Sequence, residues 1–207
     1  MPAELDDGLT FDLGHVSAEA IREGEEYSGV RVRLVARLAS AQEPFHVDVN
    51  VGDPIWPEPA EISLPRLLEQ EPILLRGYPM EMVLAEKIVT ALQRGQASTR
   101  WRDFGDIYQL TGRYAFQARE IRQALRTVAD HRRVETSGLD DALEGYAEIG
   151  QRDWARWCGK LRLTEALPAD FNVTLDALRA FANPICTGSA ADSASWDPAR
   201  RAWNDAR

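Results

Sequence analysis

The chain contains 22 arginines and only two lysines, Lys87 and Lys160. In so arginine-biased a sequence, a lysine needed for charge alone is expected to be arginine. A compact ammonium is the better choice where a point charge must reach a phosphate. The other reading of Lys87 is a side chain whose stem covers the edge of an apolar stripe while its head stays in water. Asp103 and Asp106, three residues apart, share one helical face. Either one suits the first turn of a helix, where the dipole favours a carboxylate. Equally, one could orient Lys87 or hold a metal-bound phosphate group. A third carboxylate, Asp48, sits between Val47 and Val49 in a strand-like run, where Asp is disfavoured. It reads either as the partner of an arginine on a facing strand, Arg31 or Arg33, or as a metal ligand projected from a rigid sheet.

The elements that must position these groups are legible in outline. Met80, Leu84, Ile88 and Leu92 recur at helical spacing, with Pro79 suited to the first turn and Gly95 to the stop. Lys87 falls on the edge of that stripe. Ser98 or Thr99 can cap a second helix whose face carries Asp103, Ile107 and Leu110. Upstream, Val30, Val32, Leu34, Ala36 and Leu38 alternate with Arg31, Arg33 and Arg37. Phe45, Val47, Val49 and Val51 alternate with His46, Asp48 and Asn50 in the same way. Two alternations joined by the six residues ASAQEP predict an antiparallel hairpin on a half-covered sheet.

The run YPMEMVLAEK followed by RWRDFGDIYQL resembles the paired motifs of the AbiEii/AbiGii (MenT-type) nucleotidyltransferase toxins. The matching positions are Tyr78, Pro79, Glu81, Ala85, Glu86, Lys87, Arg100, Asp103 and Asp106. The resemblance implies that Lys87 and Asp103 are active-site residues facing a nucleotide. It places Asp48 where that fold sets a third carboxylate, serving Mg²⁺ or acting as a base. Lys87 would bind the triphosphate, with Arg100, Arg102 and Asp106 as further nucleotide, phosphate or RNA contacts. The implied reaction moves a nucleotide from an NTP to an acceptor such as a tRNA 3′ end, and the implied partner is a cognate antitoxin. The family's first motif, a Gly-Ser turn followed by Asp-x-Asp, has no counterpart, since no Asp-x-Asp occurs in the 207 residues. Two expectations compete. Either the start is set too far downstream in an active enzyme, or the chain is a shortened, inactive relative that binds an antitoxin or RNA.

At 207 residues and 44% hydrophobic, the chain can bury a substantial core. No apolar run approaches membrane-spanning length, and two cysteines, Cys158 and Cys186, make no disulfide framework, so a cytoplasmic protein with no membrane partner is expected. A net charge of −9 argues against a general nucleic-acid coat protein. Nine arginines between Arg94 and Arg133 nevertheless allow a local basic face or an ordinary solvated one. The expected fold class is α+β, a small mixed or antiparallel nucleotidyltransferase-like sheet followed by a helical C-terminal lobe. Expected divisions are a sheet region over 1–77, helices over 78–186 and a disordered tail over 187–207. Within these, 9–13 reads as a strand, 17–26 as a helical turn, 52–66 as loop with Asp53 shaping a turn, and ILLRGYP as a strand. Helices are expected over 115–133, 139–149, 152–162 and 170–184, the last stopped by Pro184.

Overall fold

The computed structural model describes residues 8–21, 29–50, 52, 54–67 and 71–204. Asp53 lies outside them. The chain divides into two compact units, residues 1–53 and 54–207. The α+β expectation holds, with antiparallel strands in small sheets and six helices in the C-terminal part.

The first unit is a sheet built on one long central strand. Strand β3 (Gly29–Leu38) pairs along its whole length with β4 (Ala41–Asn50). Its other edge is shared by β1 (Leu9–Phe11) and β2 (Ser17–Ile21), both antiparallel. The alternation of β3 sorts its residues by face. Val32 lies opposite Val47 and Leu34 opposite Phe45, and Phe11 and Phe45 meet edge-on at 6.0 Å between ring centres. The other face carries ion pairs, Arg33 with Glu19 at 2.6 Å and Arg37 with Asp12 at 2.8 Å. Residues 17–21 are therefore strand, not helical turn, because their small side chains lie opposite β3 and Glu19 finds an arginine. The expected six-residue connection shrinks to Ala39 and Ser40, since Leu38 pairs with Ala41. Ala39 takes a left-handed φ of 51° there, which a tight hairpin requires and which alanine does not advertise. Pro44 is tolerated inside β4 because β4 pairs only with β3 among the described strands, leaving an edge where no N–H is needed.

The second unit opens with a hairpin, β5 (Ala60–Leu64) and β6 (Ile73–Gly77). The expected loop over 52–66 thus holds a strand framed by Pro59 and Pro65. The hairpin clusters with the helices and not with the first sheet, so the division falls at 53/54 in place of 77/78. Six helices follow: α1 (Met80–Arg94), α2 (Trp101–Arg113), α3 (Ala118–Arg132), α4 (Leu139–Ala142), α5 (Tyr146–Lys160) and α6 (Phe171–Cys186). Helix α1 is the centre of the core. Met82, Leu84, Ala85, Ile88 and Val89 are fully buried, a wider arc than one amphipathic stripe. Gly95 ends it at φ 50°, and a Cβ there would stand 2.9 Å from the Ala142 carbonyl oxygen.

Sequence spacing suggests a break near Gly150, yet α5 runs through it. A Cβ at Gly150 would lie 3.0 Å from the Phe171 ring and 3.2 Å from that of Trp101, so the glycine serves close packing. Asp170 caps α6 as expected, accepting from the Asn172 amide. Pro184 does not stop that helix, which continues to Cys186. Trp154 is fully buried and stacks on Phe171 at 5.0 Å, as a core residue.

The expected disordered tail is corrected over its described part. Residues β7 (Ser195–Asp197) and β8 (Ala202–Asn204) form a hairpin. Trp196 is 1% exposed, packs against Phe181 at 4.9 Å, and donates from its indole nitrogen to the Thr111 carbonyl at 2.6 Å. Two tryptophans among small polar residues are enough to anchor the segment, because each buries a large apolar ring and satisfies its own N–H.

Candidate active site

The motif residues fold into one ion-pair cluster between α1 and α2. Tyr78 and Pro79 lead into α1, with the Pro79 carbonyl accepting from the Met82 and Val83 amides. The Tyr78 hydroxyl donates to Glu86 Oε1 at 2.5 Å, so two motif residues eight apart hold each other over the first turns of α1. One position on, Lys87 turns toward α2. Its ammonium Nζ lies 2.8 Å from Asp103 Oδ1 and 2.8 Å from Asp106 Oδ2.

Asp103 and Asp106 face α1 together because they sit three residues apart on α2. Arg100 occupies the N-cap position, so the expected Ser98 or Thr99 cap is displaced. The Arg100 guanidinium donates from Nε to Asp103 Oδ2, and both oxygens of Asp103 are thereby engaged. Behind this, the Tyr146 hydroxyl donates to the Ser98 carbonyl and fixes the turn that leads into α2. Asp103 is thus the inner member, with 8% of its side chain exposed, and Asp106 the outer, with 41%. The cluster is charge-balanced: Lys87 and Arg100 against two carboxylates.

Burial by itself pushes the Asp103 carboxyl up, but hydrogen bonds from Lys87 and Arg100, and then their charges, outweigh it and hold the group below its ordinary value. Burial likewise pushes the Lys87 ammonium down, and the bonds to Asp103 and Asp106 outweigh that, raising its pKa. Both groups are therefore charged at neutral pH. The depressed Asp103 contributes stability that is present above its unfolded value near 3.8 and lost as pH falls through the folded pKa. The raised Lys87 contributes stability that is present below 10.5 and lost as pH rises through its folded pKa. Urea midpoints of the full chain should therefore show no pH dependence from this cluster between about pH 5 and about pH 9, where its contribution is fully present. Asp103→Asn should remove part of the loss seen below about pH 4. A wild-type pH dependence near neutrality that disappears in Asp103→Asn would contradict this assignment.

The remaining sequence candidates are placed differently. Asp48 lies in the first unit, directly across from Arg31. Arg31 Nε reaches Asp48 Oδ1 at 2.7 Å and a terminal guanidinium nitrogen reaches Oδ2 at 2.8 Å, a bidentate fork. The pairing reading of Asp48 is thus realised, with Arg31 and not Arg33 as its partner. Arg100 serves Asp103, whereas Arg102 is exposed on α2. Gln109 escaped the sequence reading, although Arg102, Asp106 and Gln109 follow the spacing of one helical stripe. Among the described residues no three His, Cys, Asp or Glu side chains converge as a metal site. Among them, too, no helix is long and apolar enough to cross a membrane.

Compared with known proteins, the chain matches the family model described as nucleotidyl transferase AbiEii toxin, type IV TA system, over residues 3–182. No curated protein and no solved structure was found to match. The matched span contains both motifs and the whole Lys87–Asp103–Asp106 cluster. The chain belongs to the AbiEii nucleotidyl transferase toxin family of type IV toxin–antitoxin systems, a membership that implies a cognate antitoxin.

Proposed function

We propose that this chain transfers a nucleotidyl group from an NTP to an acceptor hydroxyl on RNA, with tRNA 3′ ends as the acceptor class, as the toxic arm of a phage-defence system. The acceptor oxygen forms a bond to the α-phosphorus, the bond to the β-phosphate oxygen breaks, and pyrophosphate leaves. The observation that carries this reading is the Lys87 ammonium held by Asp103 and Asp106 at 2.8 Å each. Two of its three donors are fixed and the third is available for a phosphate oxygen. The more exposed Asp106 is the partner a triphosphate would displace, while Asp103, backed by Arg100, keeps the lysine aimed. A fixed positive charge at the triphosphate stabilises the charge that builds on the leaving pyrophosphate.

The NTP is proposed to arrive with Mg²⁺. The described residues do not by themselves fit a divalent-cation site, since both Asp48 oxygens accept from Arg31 and no three ligating side chains converge. Asp48 is proposed to serve the transfer as a carboxylate on the metal side or as the base for the acceptor hydroxyl, a role that requires it to leave Arg31.

The test is to incubate the purified full chain with Mg²⁺, each α-labelled NTP in turn and total tRNA, and to follow label into RNA. Incorporation from at least one NTP is expected, and it should fall in Asp48→Asn. Unchanged incorporation in Asp48→Asn would leave Asp48 as a sheet ion pair. If no NTP is incorporated and none binds in calorimetry, the transferase reading fails and a non-catalytic antitoxin- or RNA-binding role takes its place.

A further inference from the structure

Helix α2 carries a second stripe beside the one that meets Lys87. Arg102, Gly105, Asp106 and Gln109 follow the i, i+3, i+4, i+7 spacing of one helix face. They form one wall of an open groove of about 220 Å³, whose other wall is apolar and includes Trp157 and Leu161. Gly105 brings the walls together. A Cβ there would stand 3.2 Å from the Trp157 ring and 3.1 Å from a Leu167 methyl, so the indole closes directly on the α2 backbone. Asp106 belongs to both places, since it lines the groove and bonds Lys87.

The Arg102 and Gln109 side chains of the groove are free to bind. Among the described residues, neither Arg102 nor Gln109 has a hydrogen-bonding or ionic partner. One arginine offset by one carboxylate is a poor match for a triphosphate, which carries several negative charges. It suits a single phosphodiester. An indole with leucines beside it suits the face of a base, and a primary amide suits a base edge, able to donate and accept.

We propose that this groove holds the terminal nucleotide of the acceptor strand. The base lies against Trp157 and Leu161, Gln109 meets its edge, and Arg102 meets the phosphodiester. The shared Asp106 then sets the acceptor terminus beside the triphosphate that Lys87 binds. This assignment rests on the transferase reading for its purpose, but the groove's affinity for RNA is measurable without any transfer.

The probe is a short single-stranded oligoribonucleotide with a free 3′ hydroxyl and a terminal 4-thiouridine. It is bound to the full chain, with binding followed by fluorescence anisotropy and contacts by photo-cross-linking. Arg102→Glu and Leu161→Asp should each weaken binding by about tenfold or more. Leu161 is 44% exposed, so the latter change should leave the fold intact, which circular dichroism checks. Gln109→Ala should weaken RNA binding while the affinity for Mg·ATP stays within about twofold, because the amide meets only the acceptor base. Cross-links should fall in residues 102–109 or 157–161. No binding by the wild type, binding indifferent to all three changes, or cross-links elsewhere would each overturn the assignment. Failure of the transferase reading looks different. There, Mg·NTP binding and label incorporation are absent in the wild type, whatever the RNA result.

Discussion

A Lys87→Ala chain is expected to lose label transfer from NTP to RNA by about 10²-fold or more, and to lose toxicity on expression, while remaining folded. The size follows from removing a cation whose position is fixed by two carboxylates at 2.8 Å each. Breaking a buried ion pair typically costs about 3–5 kcal/mol when the surviving charge is left alone. Here Asp103 keeps Arg100, so the stability loss should fall below that range. A urea titration beside the transfer assay separates the two effects. Lys87→Arg is the sharper control. The larger planar guanidinium cannot place its charge in the compact position that the ammonium holds between two carboxylates, so it should not restore transfer. Transfer at wild-type rate in Lys87→Ala would remove the lysine from the mechanism. Full restoration by Lys87→Arg would show that only its charge matters. Asp103→Asn adds a third arm, since it keeps the shape but removes the charge that aims the lysine. It should lower the rate, and also the urea midpoint at neutral pH, because the stability that the ionised Asp103 contributes there is removed.

Trp196→Ala is expected to destabilise the helical unit by about 3–5 kcal/mol, the range for deleting a buried aromatic. The ring is 1% exposed and lies between Phe181 and Trp203, at 4.9 and 5.3 Å between centres. Its loss also orphans the Thr111 carbonyl that accepts from the indole. The backbone reinforces the attachment, with the Trp196 amide donating to the Phe116 carbonyl at 2.8 Å and the Ala118 amide to Ala194 at 2.9 Å. Arg201 adds a cation over the Tyr108 ring at 3.9 Å. These contacts reach the C-terminal half of α2, the helix that carries Asp103 and Asp106. A chain ending at Gly188 should therefore lose stability comparably, and transfer with it. A urea shift under about 1 kcal/mol for Trp196→Ala would mean that the hairpin rests on the surface without supporting the core. The hairpin lies beyond the residues that match the family, which end at 182.

The paired helices of the site were open to sequence reasoning because their signals are local. Helical periodicity, a glycine stop and the Lys-Asp-Asp spacing all act within a few turns, and α1 and α2 formed where those signals stood. The central sheet pair was legible for the same reason, since alternation with period 2 places Arg31 and Asp48 on one face. The misread segments had contrary local signals that distant contacts overruled. Prolines framed β5 without breaking it, because its partner β6 supplied the ladder. A break is expected between helices over 139–149 and 152–162, but Gly150 there is a close approach for Phe171 and Trp101 inside one helix. The polar tail lacked periodicity, but Trp196 found a buried slot on α6.

For the site itself, the sequence alone determined which residue types would gather, since the motif spacing sets Lys87 on one helix and Asp103 and Asp106 on one face of the next. Only the tertiary structure decided how they are shared. Asp103 takes both Lys87 and Arg100, Asp106 remains the exposed partner, and Asp48 spends both oxygens on Arg31. The groove across α2 was likewise decided there. Its second wall comes from Trp157 and Leu161, some fifty residues downstream, and no local pattern brings them to Gly105. The reason is physical. Periodicity fixes where a side chain points on its own element, whereas a carboxylate's choice among several cations, and the seating of a ring against a distant glycine, depend on distances that exist only once the helices are packed.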